Sequence, residues 1–160
     1  MTVKPAASPA ARLELERFLP YRLNVLAEAV SQALARIYGE RYGIGVPEWR
    51  VLATLGQYER MTAKEIGAHS RMHKTKVSRA VAGLEARGFL ARAANAADRR
   101  EAFLTLTAAG RRTYRDLVPR VLDFAQRLMG ELDPAERQIL DNLMRRLQAR
   151  AEGLGATRGR

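Results

Sequence analysis

The chain has 160 residues, with 28 Lys and Arg against 17 Asp and Glu and a formal net charge of +11. This length accommodates one compact domain, or a small domain with an oligomerisation element, and the charge favours a polyanionic partner such as nucleic acid, anionic lipid or an acidic ligand. The lack of cysteine excludes disulfides, thiolate chemistry and most structural zinc sites, and no apolar run approaches the roughly 18 residues of a membrane span.

Residues 1–11 are rich in Pro and Ala and lack the apolar core of a signal peptide, so a disordered tail on a soluble cytoplasmic protein is expected. From about Leu13 to Tyr42, apolar residues recur at helical spacing: Leu19, Leu23, Leu26, Val30, Leu34 and Ile37. Gly43 and Gly45 end this long amphipathic helix, and Pro47 suits the first turn of a second one running to about Gln57. Thr62 and Glu65 form a capping box that opens a third helix. After a turn at Ser70 to Met72, a fourth helix runs from His73 or Lys74 to Arg87, with Val77, Ala80, Val81 and Leu84 on one face. Gly88 stops it in a left-handed conformation.

Phe89 to Arg92 and Ala102 to Leu106 then predict two short strands around a polar turn at Asn95 to Arg100, which is a wing. Thr107 caps a fifth helix through Leu128, with Pro119 kinking it. Asp133-Pro-Ala-Glu136 starts a sixth, striped by Ile139, Leu140, Leu143 and Leu147. The predicted fold is therefore mainly α. A winged helix-turn-helix domain occupies 47–107, and helices at 12–46 and 108–151 form a dimerisation domain, because their apolar stripes exceed what a sixty-residue winged unit covers. Residues 152–160, rich in Gly and Arg, predict a second disordered tail.

The basic residues are not spread evenly. Between His69 and Arg92 lie Arg71, Lys74, Lys76, Arg79, Arg87 and Arg92, against the single acid Glu85. In the fourth helix the apolar face suits a core, while Lys74, Thr75, Lys76, Ser78 and Arg79 are left at the N-terminal part, where short polar and cationic groups reach base edges and phosphates. Arg71 and Arg92 are candidates for further backbone contact. Arg99 and Arg100 at the wing tip suit a narrow minor groove. Asp98 would be repelled by phosphates, so it is assigned to orienting Arg100.

The runs Met61-Thr-Ala-Lys-Glu-Ile-Gly-Ala-His69, Leu84-Glu-x-Arg-Gly88, Asp98-x-Arg100 and Leu106-Thr-Ala-Ala-Gly110 together resemble the MarR family of bacterial transcription regulators, over most of residues 20–150. The resemblance implies a homodimer on a pseudo-palindromic double-stranded DNA operator, and it also implies the Asp98–Arg100 pairing. It further implies a small effector, often an aromatic acid, held between the dimerisation helices and the winged domain. Arg22, Asn24, Trp49 and Arg50 supply the guanidinium, amide and indole groups suited to an aromatic carboxylate. Trp49 equally suits a core anchor, and Arg22 or Arg50 an ion pair.

The segments Glu16–Asn24, Tyr38–Gly43 and Pro47–Arg50 also look like a subgroup controlling aromatic-acid catabolism, which points to an aromatic acid or its CoA thioester. A sequence-tolerant architectural DNA binder without an effector is the alternative. No Gly-rich phosphate loop, nucleophile elbow or metal-ligand set is legible, so neither catalysis nor a cofactor is expected. His69 and His73 are four apart, but the intervening turn breaks their common face.

Overall fold

The computed structural model describes residues 12–96 and 101–156. Helix α1 spans Leu19–Tyr42 and begins six residues later than the periodicity predicts. Pro20 explains the difference. In a helix begun at Leu13 it would be interior, lacking an amide and clashing with the carbonyl of Glu16, whereas in the first turn its missing donor costs nothing. Gly43 ends α1 in the left-handed region (φ 63°), its amide donating to the Gly39 carbonyl at 2.8 Å.

Helix α2 covers Val46–Tyr58 and starts on half of a capping box. Glu48 Oε2 accepts from the Gly45 amide at 2.7 Å, but glycine has no side chain with which to reciprocate. Glu59 then turns the chain with φ 63° and ψ −47° into strand β1 (Arg60–Thr62), which periodicity did not reveal because it is only three residues long.

Helix α3 (Ala63–Ser70) carries the full Thr62–Glu65 box, with Thr62 N–H donating to Glu65 Oε2 at 2.7 Å and Glu65 N–H to Thr62 Oγ1 at 3.2 Å. Helix α4 covers Lys74–Ala86, and Gly88 follows it at φ 70°. Strands β2 (Leu90–Ala93) and β3 (Phe103–Leu106) complete an antiparallel sheet in the order β1-β3-β2. Thr62 and Ala93 both face Phe103, at the end of the sheet nearest the wing turn, while Arg60 faces Thr105 and Leu90 faces Leu106 at the opposite end.

The core gathers around α2 and α4. Val51, Leu52, Leu55, Ile66, Val77, Val81, Leu84 and Leu104 are wholly buried, and each stabilises the fold by about 1.5–3 kcal/mol through removal of apolar surface from water. Helix α5 (Ala108–Leu128) is seated on this unit through Leu117, which is buried, and through its cap. Thr107 Oγ1 accepts from the Gly110 amide at 3.0 Å and donates to the Gly88 carbonyl at 2.6 Å. Gly110 is required there, since a Cβ would stand 2.0 Å from the Phe89 carbonyl oxygen.

The helix continues through Pro119. At its far side Asp116 receives Arg41 (2.5 Å and 3.2 Å) and the Tyr42 hydroxyl (2.9 Å), which fastens α5 to the end of α1. The Arg41 guanidinium first, and then the Tyr42 hydroxyl, hold the Asp116 carboxyl below its ordinary range.

Helix α6 (Pro134–Ala156) extends five residues past the boundary expected at 151, which corrects the start of the predicted tail. Asp133 and Glu136 cap it reciprocally, both at 2.8 Å. Every residue from Pro134 to Gly155 is exposed in the single chain. The first half of α1 is exposed as well, from Leu19 to Ala29.

Candidate nucleic-acid interface

Helix α4 is divided lengthwise. Val77, Ala80, Val81 and Leu84 are buried against the core, while Lys74, Thr75, Lys76, Ser78 and Arg79 are exposed on the other side. Among the described residues Lys74, Lys76 and Arg79 make no ion pair and no side-chain hydrogen bond. Their charge is therefore directed outward without a counter-acid. The start of α4 is capped by His73, whose Nδ1 accepts from the Thr75 amide at 3.4 Å. The remaining amides of that first turn add partial positive charge beside Lys74. The arrangement is a rigid helix with one anchored face and one cationic, hydroxyl-bearing face, which is what a major groove admits.

The other basic residues of this segment are already engaged. Arg92 makes a two-pronged contact with Glu85, Nε to Oε1 at 2.7 Å and Nη2 to Oε2 at 2.9 Å, and this carboxylate raises the Arg92 guanidinium further above its ordinary value. Arg71 donates to Glu152 of α6 at 2.6 Å. Arg87 donates to the Gly43 and Tyr42 carbonyls and lies 3.7 Å from Glu48. Arg71 and Arg92, expected to contact phosphate, thus each already hold a carboxylate that offsets their charge and occupies part of their donors. Glu85 and Arg92 are seven residues apart across the Gly88 corner, so their meeting was legible in principle. Glu152 is eighty-one residues from Arg71, and no local signal joins them.

Asp98, Arg99 and Arg100 lie outside the described residues. His69 meets Tyr58 edge to face at 5.0 Å, and His73 caps α4, so each imidazole has a separate role.

The four residues chosen for an aromatic carboxylate divide into two pairs. Trp49 stacks on Tyr38 with ring centroids 5.3 Å apart and planes 14° apart, and Arg50 follows it on α2. Both border a hollow of about 300 Å³ that also touches Thr54, Gln57 and His69. Burial raises the Tyr38 phenol above its ordinary value, with the Arg50 charge opposing that shift. Arg22 and Asn24 are exposed near the start of α1. They precede Tyr38 by roughly 24 and 21 Å of helical rise. A single chain does not bring the two pairs together.

A sequence profile of the MarR family matches residues 42–101. The HTH-type transcriptional regulator YwoH of Bacillus subtilis is 25% identical over 131 residues, covering 82% of this chain and 94% of the relative. A MarR/EmrR family transcriptional regulator from Acinetobacter sp. ADP1 superimposes with a TM-score of 0.80 at 23% identity, over 88% of this chain and 99% of that one, a likeness of fold. BpsR of Bordetella bronchiseptica, whose DNA binding is regulated by 6-hydroxynicotinic acid, superimposes with a TM-score of 0.67 at 25% identity, over 79% of this chain and 98% of that one.

Proposed function

The chain belongs to the MarR family of helix-turn-helix transcription regulators, and on that premise we propose that it is a homodimeric, ligand-responsive repressor of a pseudo-palindromic operator. The observation that carries the reading is the outward face of α4, where Lys74, Lys76 and Arg79 stand exposed and unpaired among the described residues beside Thr75 and Ser78. A helix anchored by Val77, Val81 and Leu84 holds these groups rigidly, so they meet base edges and phosphates at little further entropic cost. In this reading Arg99 and Arg100 enter the minor groove, with Asp98 orienting Arg100. Arg71 and Arg92 add phosphate contacts once they leave Glu152 and Glu85.

Two copies are called for by the apolar surface left open at both ends of the chain. Leu19, Leu23 and Leu26 of α1 and Ile139, Leu143 and Leu147 of α6 are all exposed in one protomer, spaced three or four residues apart as an apolar stripe of a helix that packs on a partner. A twofold dimer would place two α4 helices in successive major grooves, about one helical turn apart. Among the described residues no helix is long and apolar enough to cross a membrane, which accords with a cytoplasmic protein acting on chromosomal DNA.

The proposed effector is a small aromatic acid or its CoA thioester, which releases DNA by favouring a dimer geometry with the wrong helix spacing. The regulation of BpsR by 6-hydroxynicotinic acid supports an aromatic acid. Arg22, Asn24, Trp49 and Arg50 remain the proposed contacts, and because one chain separates them, the first two would have to come from the partner copy.

A gel shift with the promoter upstream of the protein's own gene tests this reading. A shift that outlasts random-duplex competitor, and that is reversed by an aromatic acid or its thioester, is expected. Equal affinity for promoter and random duplex at fixed salt would instead identify a sequence-tolerant architectural binder.

A further inference from the structure

Arg87 follows α4 directly and lies in the basic cluster, yet its guanidinium is engaged at the junction of α1 and α2. Nη2 donates to the Gly43 carbonyl at 2.7 Å and Nη1 to the Tyr42 carbonyl at 3.3 Å. Carbonyls at the end of a helix lack helical partners and lie at the negative end of its dipole. A cation at the end of α4 thus closes the end of α1. Forty-four residues separate Arg87 from Gly43, so the contact ties together elements that are remote along the chain.

Glu48 extends the junction to the first turn of α2. Its Oε2 accepts from the Gly45 amide, while Oε1 lies 3.7 Å from Arg87 Nε. The carboxylate rests on α4 at Gly83, where a Cβ would overlap Oε1. Glycine inside a helix costs stability relative to alanine, and the close approach of Glu48 accounts for this one. Tyr42 is gripped from two further directions: its hydroxyl donates to Asp116 of α5 at 2.9 Å, and its ring meets Phe89 edge to face with centroids 6.3 Å apart. Phe89 lies two residues past Arg87. The end of α1 is therefore fastened to the corner after α4 by directional bonds as well as by ring contact.

Apolar packing and forked hydrogen bonds constrain a helix differently. Val77, Val81 and Leu84 bury α4 in the winged unit, but burial is non-directional and tolerates small rotations. A planar guanidinium donating to two successive carbonyls admits a much narrower range of orientations.

We propose that Arg87 is a positioning residue: it sets the angle between the recognition helix α4 and the dimerisation helix α1, and through that angle the half-site spacing that a dimer accepts. This rests on the dimeric, operator-binding reading above. Arg87 touches no base in it and acts through α4. In a twofold dimer a rotation of α4 on α1 occurs in both copies, so it changes the separation of the two reading faces. A loosened junction widens the range of spacings bound, whereas loss of a DNA contact weakens every spacing alike.

The chain has no cysteine, so introduced thiols can carry spin labels without competition. Labels at Ala33→Cys in α1 and Ala82→Cys in α4, both exposed positions, report the placement of the two helices within one chain when labelled protein is diluted with unlabelled protein. The distance distribution should be narrow in the otherwise unaltered protein and should broaden in Arg87→Gln. Arg87→Lys should restore it only in part, because an ammonium lacks the planar fork. Gly83→Ala should displace the Glu48 carboxylate and broaden the distribution as well, while the melting temperature stays level or rises. That variant separates position from stability.

Gel shifts then compare the promoter fragment with versions carrying one or two extra base pairs at the centre of the protected region. The unaltered protein should disfavour the lengthened duplexes by about tenfold or more, and Arg87→Gln should reduce that discrimination to about threefold or less. Unchanged distances in Arg87→Gln, full rescue by Arg87→Lys, or equal weakening at every spacing would overturn the assignment. If the unaltered protein binds the promoter no better than random duplex, the operator reading fails instead. The distances involve neither DNA nor a partner copy, and they still decide whether Arg87 sets the angle.

Discussion

Lys76 and Arg79 occupy the middle of the exposed face of α4 and, among the described residues, have no acid to release in the proposed DNA complex. Replacing either with Gln should weaken promoter binding by about 1–3 kcal/mol, or roughly 10- to 100-fold, if it reads a base, and less if it meets only phosphate. A thermal melt will separate this loss from any loss of fold, because both side chains point away from the core. Arg92 makes the opposite prediction. Its guanidinium is clasped by Glu85, so Glu85→Gln should free a positive charge beside the recognition helix. Binding should then tighten about equally for promoter and random duplex, and the dependence of log K on log salt should steepen by about one. Unchanged salt dependence in equilibrium titrations would remove Arg92 from the interface.

At the scale of elements, the turns and caps hold the reading helix in place. Glu65 accepts the Thr62 backbone amide and then its hydroxyl, and these bonds lower its pKa from the ordinary 4.5. A depressed carboxyl stabilises the fold above its unfolded pKa, and this stabilisation is lost as pH falls through the lower, folded value. Stability measured by melting should therefore decline below about pH 4.5, and Glu65→Gln should flatten that decline. Leu84 tests the packing of α4 directly: it is wholly buried, and Leu84→Ala should cost about 2–5 kcal/mol in denaturant unfolding. The elements were largely legible because most carry their own punctuation, such as Gly43 after α1, Gly88 after α4 and Thr107 before α5, whereas the start of α1 at Pro20 was missed. Strand β1 was not. Three residues show no period, and only pairing with β3 makes them a strand.

At the scale of the whole molecule, helix α6 is the least self-sufficient part. Its residues from Pro134 to Gly155 are exposed in one chain, and its contact with the winged unit includes the Arg71–Glu152 ion pair. An exposed pair of this kind contributes little by itself, and in the proposed dimer a partner copy buries Ile139, Leu143 and Leu147. Leu143→Glu should therefore convert the dimer to a monomer in light scattering and abolish the dependence of melting temperature on protein concentration. A dimer that withstands this substitution would place the interface elsewhere. If Glu152 stays on Arg71 in the dimer, the ion pair joins the dimerisation helix to the turn just before α4, so Glu152→Gln should release Arg71 for phosphate as Glu85→Gln releases Arg92.

Periodicity, caps and charge clustering by themselves determined the order of the helices, the winged unit and the outward face of α4, because each depends on residues within a turn or two of one another. What only the tertiary structure decided were the partners of charges far apart in the chain. Two arginines assigned to phosphate contact from the local excess of positive charge are held by Glu85 and Glu152, and four residues grouped for one ligand fall into two pairs a helix-length apart. Composition records how many charges a segment has. Whether a given charge is available depends on the fold, since at contact distance one correctly placed carboxylate outweighs the average field of many screened charges.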